Sequence, residues 1–305
     1  MYAAIQHSAV RSILFVVVWS LLCCKGDLAA APAGGEASPH DSVPIEIRWH
    51  TDYGQAFAEA RLEGKMLLLH FCELSDRLCE DFETGTLTDP MIASKLREYV
   101  CAKLPLDTKI TIDGKESTLL EHGVFREMLG RPGVAILDFV HREAPYHGCV
   151  VSTFPITDEL SYPPERMAAI LDLPPGTLTQ RTLIYAVRIH PERPSSTEGR
   201  IDANLVKEAE SHSRYQARIR LQGHHHWSTR FHRINAKLPG GLLACEVAAE
   251  SWPGEKLVEA AIECVRCWRF SSGHWSAVSA HHDFYGYDMK RGSNGIWYAT
   301  GIFGG

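Results

Sequence analysis

Several things are scarce in this 305-residue chain. It has no block of basic residues: 31 Lys and Arg are scattered among 37 Asp and Glu, for a net charge of -6. The electrostatic footprint of a nucleic-acid binder is therefore missing. No apolar run reaches the roughly 20 residues that a membrane-crossing helix needs. Serine nucleophile contexts are missing too. Ser213, Ser271 and Ser272 stand in no G-x-S-x-G or comparable setting. Cysteine spacing is irregular, which excludes a disulfide-stapled miniprotein.

What is present is globular material: 45% hydrophobic and 22% charged residues, in a chain long enough for two ordinary domains. The N-terminus has the pattern of a secretion signal. Arg11 precedes the apolar run Ile13 to Cys24, and Ala29, Ala30, Ala31 and Ala33 offer A-x-A-like cleavage sites. Residues 1–31 are read as this signal, with an uncleaved anchor as the alternative. Cys23 and Cys24 suggest lipidation, but Leu22 is large for the residue preceding a lipoprotein cleavage site. Residues 32–43 are rich in Ala, Gly, Pro and Ser and form a flexible lead-in. The expected location is secreted or periplasmic, with no transmembrane segment in the mature chain. Seven cysteines follow the signal: Cys72, Cys79, Cys101, Cys149, Cys245, Cys264 and Cys267. Export permits disulfides, but an odd count leaves at least one thiol unpaired in a monomer.

In the first half, Trp49 to Glu63 has a helical pattern ended by Gly64. Met66 to Phe71 is a short, nearly all-apolar run, the mark of a strand buried on both faces. Helices are expected near Leu78 to Phe82 and after Asp89-Pro90, then a strand at Tyr99 to Leu106. Two more strands, Pro132 to Phe139 and Gly148 to Ser152, suggest a hairpin, and Pro163 to Leu171 a last helix. Alternating strands and helices predict an α/β sheet. With Gly64-Lys65, the strand ending at Phe71, Cys79 at a helix start and Arg131-Pro132 before a strand, residues 44–174 resemble a thioredoxin-like domain. The resemblance implies a redox pair faced by a cis proline at Pro132. The sequence departs from it at the decisive place: the expected C-x-x-C falls on Asp76-Arg77-Leu78-Cys79. Disulfide exchange needs an attacking thiolate of lowered pKa, and Asp76 cannot supply one. Cys72 is the other candidate partner for Cys79. Cys101 is expected in the core, and Cys149 is undecided.

In the second half, helices are predicted at Thr177 to Ile189, at Ala203 to Leu221 (ended by Gly223) and at Leu257 to Phe270. Ala244 to Ser251 is an element of undecided type. His282 to Met289 and Ile296 to Phe303 are strands, with a hairpin turn signalled by Asn294-Gly295. Ala209-Glu-Ser-His212-Ser213, the His224-His225-His226 run, Glu246, Trp268-Arg-Phe-Ser-Ser-Gly-His274 and the aromatic, Gly-rich tail resemble the CAP or SCP-like superfamily over residues 175–305. That resemblance implies an α-β-α sandwich with a central cleft lined by histidines and glutamate, which holds a divalent metal such as zinc in some members. The implied positions are His224, His274 and Glu246, with Glu250 as competitor for the Glu and His225 or His226 for the first His. Two imidazoles and a carboxylate can hold Zn²⁺ and leave a fourth position for water; without metal they can move protons near neutral pH.

Other motifs have structural readings. The tryptophans Trp227, Trp252, Trp268, Trp275 and Trp297 are read mainly as core, with a ligand wall as the alternative. Cys264-x-x-Cys267 falls inside a helix with no second pair to complete a metal shell. Ser213 is expected to pack. Together these features predict a two-domain α/β protein that binds an envelope or extracellular ligand without catalysis, through the His224/Glu246/His274 cleft. Two enzymatic alternatives stand beside this: thiol-disulfide exchange through Cys79 with Cys72, and metal-dependent hydrolysis in the cleft.

Overall fold

Short polar caps and unbroken apolar runs alternate along the chain, and the secondary structure follows them. The computed structural model describes residues 47–305 except positions 74 and 113; the expected signal and lead-in lie outside the described residues. Strand β1 (Trp49–His50) precedes helix α1 (Tyr53–Glu63). The helix begins later than the pattern predicts, because Asp52 caps it. The Asp52 carboxylate accepts from the Gln55 N–H at 2.7 Å, which leaves Trp49 free to pair as a strand. Gly64, at φ 65°, closes the helix in the left-handed conformation. Then come β2 (Met66–Cys72), α2 (Arg77–Phe82), a π-helical turn at Glu83–Leu87, α3 (Pro90–Leu96) and β3 (Tyr99–Pro105). A small hairpin, β4 (Lys109–Ile112) with β5 (Lys115–Thr118), leads through two 3₁₀ turns to β6 (Gly133–Leu137), β7 (Val150–Pro155) and α4 (Pro164–Leu171).

The first sheet runs β1-β3-β2-β6-β7. β1, β3 and β2 are mutually parallel, and β6 and β7 run antiparallel to their neighbours. α2 and α3 supply the crossover that parallel β2 and β3 require. Leu67, Leu68, Leu69 and Phe71 are fully buried on alternating faces of β2, as a central strand demands. Among the described residues there is no cis peptide bond, so Pro132 is trans, contrary to the cis proline that the thioredoxin-like resemblance implies. Gly133 after it sits at φ 142°, and a Cβ there would fall 2.2 Å from the Phe154 carbonyl oxygen; the close approach of β7 requires glycine.

The second half supplies α5 (Leu178–Arg188), β8 (Arg200–Ile201), α6 (Ala203–Ile219), α7 (Trp227–Asn235), β9 (Ala244–Glu250), α8 (Leu257–Arg269), α9 (Ser272–Ser279), β10 (Phe284–Arg291) and β11 (Trp297–Gly304). Its sheet runs β8-β10-β11-β9, with β10, β11 and β9 antiparallel in sequence. α6 ends at Arg220, which takes the left-handed cap conformation at φ 59°, three residues before the predicted Gly223. Helices cover both faces of this sheet. Ile302 packs with Leu205 and Ala209 of α6, while the adjacent Phe303 packs with α5 and α8 residues such as Leu183 and Trp268. α6 lies against β10 at Gly286, where a Cβ would fall 2.3 Å from the Val206 nitrogen.

The fold is α/β, with parallel and antiparallel pairing in its sheets. One hydrophobic core crosses the predicted boundary at residues 174 and 175. Leu68, Ile136 and Phe154 belong to the same cluster as Tyr185, Val247 and Trp268. Arg181, 1% exposed, fastens the junction: Nε donates to Ser152 Oγ on β7, and Nη1 donates to the Leu173 and Pro174 carbonyls. No described helix is long and apolar enough to cross a membrane.

Candidate functional site

Glu246 sits in the middle of β9, opposite Ile302 of β11, so its side chain points to the face covered by α6. A carboxylate placed there is cut off from water, and its side chain is 1% exposed. Three elements bring nitrogen-bearing side chains up to it. His212 of α6 approaches with Nδ1 at 3.4 Å from Oε2. Arg230 of α7 places Nη2 2.5 Å from Oε2, off the axis of a regular hydrogen bond. His224, from the loop between α6 and α7, meets Oε1 through Nδ1 at 3.0 Å. That loop is pinned twice: the Gly223 N–H donates to Gln216 Oε1 at 3.1 Å, and Gln222 Nε2 donates to the Ala248 carbonyl on β9.

His274 completes the group. It stands in the first turn of α9 rather than in an open turn, because Ser271 is extended, breaks α8 from α9 and accepts the Trp275 N–H. Its Nε2 lies 3.1 Å from His224 Nε2. The structure thus brings His224, His274 and Glu246 together, but in a line. His224 lies between the other two, and the three donors do not converge on one point. His225 instead faces the Leu221 carbonyl, His226 faces the Tyr215 hydroxyl, and Glu250 is exposed at the strand end.

The line has a chemical direction. An ionised carboxylate only accepts, so His224 Nδ1 carries the proton that Glu246 receives. In the neutral form of His224 that leaves Nε2 without a hydrogen, facing His274 Nε2 at 3.1 Å. Burial opposes ionisation of Glu246, but the hydrogen bond from His224 and the Arg230 guanidinium outweigh it and hold the carboxyl below its ordinary range. Burial pushes His212 down to about 4, against the pull of Glu246, so its ring is neutral at physiological pH. His212 Nδ1 is also 3.1 Å from Thr300 Oγ1, and its Nε2 is buried with no partner. Burial, and then the neighbouring His224, lowers His274 as well, which keeps it available as a neutral ligand or proton acceptor. The site is open at one end: the His224 side chain is 41% exposed.

The donor set suits a transition metal in one specific way. Two imidazole nitrogens bound to one tetrahedral zinc at about 2.0–2.1 Å stand a little over 3 Å apart, and the His224 and His274 Nε2 atoms are 3.1 Å apart. Glu246 then fits as the carboxylate that orients a ligating imidazole through its other nitrogen.

The redox candidates lie in the first half. Asp76 is the N-cap of α2: its carboxylate accepts from the Leu78 and Cys79 N–H groups at 2.7 and 3.1 Å. Cys79 is 2% exposed, and its Sγ accepts from the Glu73 N–H. Burial raises the Cys79 thiol, and burial pushes Cys72 up to about 11. Both shifts run opposite to what an attacking thiolate needs. Both cysteines are free, and Pro132 is buried at the head of β6. Cys101 is core, at 2% exposed, and Cys149 is exposed.

His70, Cys72 and Glu83 form a second group. One nitrogen, one sulfur and one oxygen lie within 4.8 Å of one another, a grouping that could hold a metal ion. His70 Nε2 is 3.1 Å from Glu83 Oε1, and Lys103 Nζ donates to Oε2 at 2.5 Å. The His70 hydrogen bond and the Lys103 ammonium outweigh burial and take Glu83 down to about 2. A metal here has to displace the Cys72 proton and sit near the Lys103 charge.

Sequence reasoning gave no role at the site to His212 and did not find Arg230. The signal for Arg230 was its place one turn after the histidine run, on a helix whose apolar stripe is Trp227, Phe231 and Ile234. Ser213 packs as predicted, its hydroxyl 2.9 Å from both the Ala209 and the Asp288 carbonyl oxygens, with one hydrogen to share between them. Cys264 and Cys267 lie within α8. Trp268 and Trp297 are core, whereas Trp252 is 63% exposed. No protein-family model matches the chain, and no curated protein matches it.

Proposed function

We propose that the chain is an exported binding protein that holds a divalent transition metal, zinc for preference, between His224 and His274. In this reading Glu246 orients His224, and the remaining metal positions accept water or a donor group from an envelope or extracellular ligand. The observation that carries it is the 3.1 Å separation of the two Nε2 atoms, with the other face of His224 held by a buried carboxylate. The CAP-like reading of residues 175–305 agrees with helices on both faces of the second sheet. The thioredoxin-like reading of residues 44–174 agrees with a sheet of three parallel strands joined by two antiparallel ones. Binding is favoured over catalysis because Ser213 is buried and committed to two carbonyls, and because the Cys72 and Cys79 thiols are raised by burial.

Equilibrium dialysis against Zn²⁺ at pH 7.5 tests this. The wild type is expected to hold one zinc, and His274→Ala to lose at least tenfold in affinity. Glu246→Gln is expected to lose about 10–100-fold, the usual effect of removing the partner of a ligating histidine. Equal zinc binding by wild type and His274→Ala would remove the proposal.

A further inference from the structure

A cavity of about 1020 Å³ opens where the two halves meet, and none of His224, Glu246 and His274 lines it. It is at the upper end of the size range of small-molecule sites, about 300–1,000 Å³. On one side are the β4–β5 hairpin and the 3₁₀ turns that follow it; on the other are the starts of α5 and α8 and the adjoining ends of β10 and β11. The interior is apolar. Leu119, Phe125, Leu137 and Leu257, each 3% exposed or less, line it together with Phe57 and Leu178.

The mouth is basic, although the protein is acidic overall. Lys109, Arg126 and Arg291 line the cavity from three separate elements, and all three are exposed. Among the described residues, none of the three has a carboxylate within ion-pair distance. Lys290 is different, being bound to Asp288 at 2.8 Å. Among the described residues, two carboxylates line the cavity, Asp52 and Glu127, and Asp52 is already engaged as the cap of α1. Lys109 donates to Thr118 Oγ1 and Arg126 Nε to the Gly123 carbonyl, but these neutral acceptors leave the positive charges uncompensated, and an apolar interior lined also by such cations complements an amphipathic anion.

We propose that this cavity binds a single-chain acyl anion. Its hydrocarbon lies against Phe57, Leu119, Phe125 and Leu137, and its head group sits among Lys109, Arg126 and Arg291. The head group chemistry is shared by free fatty acids and single-chain phospholipids. Nothing in the site requires a bond to form or break; it is a carrier or sensor pocket.

Isothermal titration of the full chain with laurate, lauroyl lysophosphatidate and dodecanol, each below its aggregation limit, tests the proposal. One saturable site is expected for at least one of the two anions, with dodecanol at least tenfold weaker. The tighter anion identifies the source. Arg126→Glu combined with Arg291→Glu is expected to weaken the anion at least tenfold while leaving the far-ultraviolet spectrum unchanged. Cys149 also lines the cavity and is exposed, so its alkylation by iodoacetamide, read by peptide mass spectrometry on the wild type, is expected to slow when the anion is present. That readout needs no variant to fold. The proposal fails if neither anion binds saturably, if dodecanol binds as tightly as the anions, or if bound anion leaves Cys149 alkylation unchanged.

Discussion

At the scale of single residues, Glu246 is the hub. A buried carboxylate is tolerated only with charge and hydrogen-bond partners: His224 supplies the hydrogen bond and Arg230 the charge, with the His212 ring alongside. This arrangement has a pH signature. His212 titrates near 4 when folded and near 6.5 in an ordinary environment, so between those values the unfolded chain binds the extra proton. Stability from this group is complete above about pH 6.5 and is lost as pH falls toward 4, at up to roughly 1.4 kcal/mol per pH unit. Glu246, held below its ordinary value, adds a loss of the same sign at lower pH still. Urea denaturation at pH 7 and pH 5 is expected to show a larger loss for wild type than for His212→Gln; equal losses would exclude His212 as a source. The three residues placed in a line were legible as candidates through motif resemblance. Their buried partners were not: His212 and Arg230 come from elements 34 and 16 residues away from Glu246 in sequence, and packing alone brings them to it.

At the scale of elements, aspartate side chains set the starts of α1, α2, α3 and α6. Asp52, Asp76, Asp89 and Asp202 each accept backbone N–H groups at a helix N-terminus. Asp76 therefore has a complete explanation as a cap, at the position where a redox family would carry its attacking sulfur. Asp76→Ala is expected to cost about 1 kcal/mol, while Asp76→Asn, which keeps the accepting oxygen, costs a few tenths at most; thermal melts compare them. Equal losses would mean that charge, not capping, is what α2 requires. Most helices and the β10–β11 hairpin were readable from periodicity and from Asn294-Gly295. The β4–β5 hairpin was missed although Asp113-Gly114 is a turn signal, because its strands of four residues are largely exposed and show little apolar alternation. α7 was hidden behind three consecutive histidines, and the two-residue β8 is too short for any pattern to show. Ala244–Glu250 resolved into a strand once β11 was available to pair with it.

At the scale of the molecule, the two halves share one core and are joined through Arg181. Burial lowers this guanidinium to about 10, so it stays charged at neutral pH, and three oxygens surround it. Unfolding is expected as a single cooperative transition, with intrinsic fluorescence and far-ultraviolet dichroism coincident in urea. Two separated transitions would show that residues 44–174 and 175–305 are stable apart. Two places compete for a metal: His70, Cys72 and Glu83 form a grouping with sulfur that could hold an ion, and the proposed site at His224 and His274 has nitrogen only. X-ray absorption of the protein loaded with one equivalent of zinc distinguishes them directly. The account predicts a first shell of nitrogen and oxygen at about 2.0–2.1 Å with imidazole scattering and no sulfur; a sulfur neighbour at about 2.3 Å would contradict it.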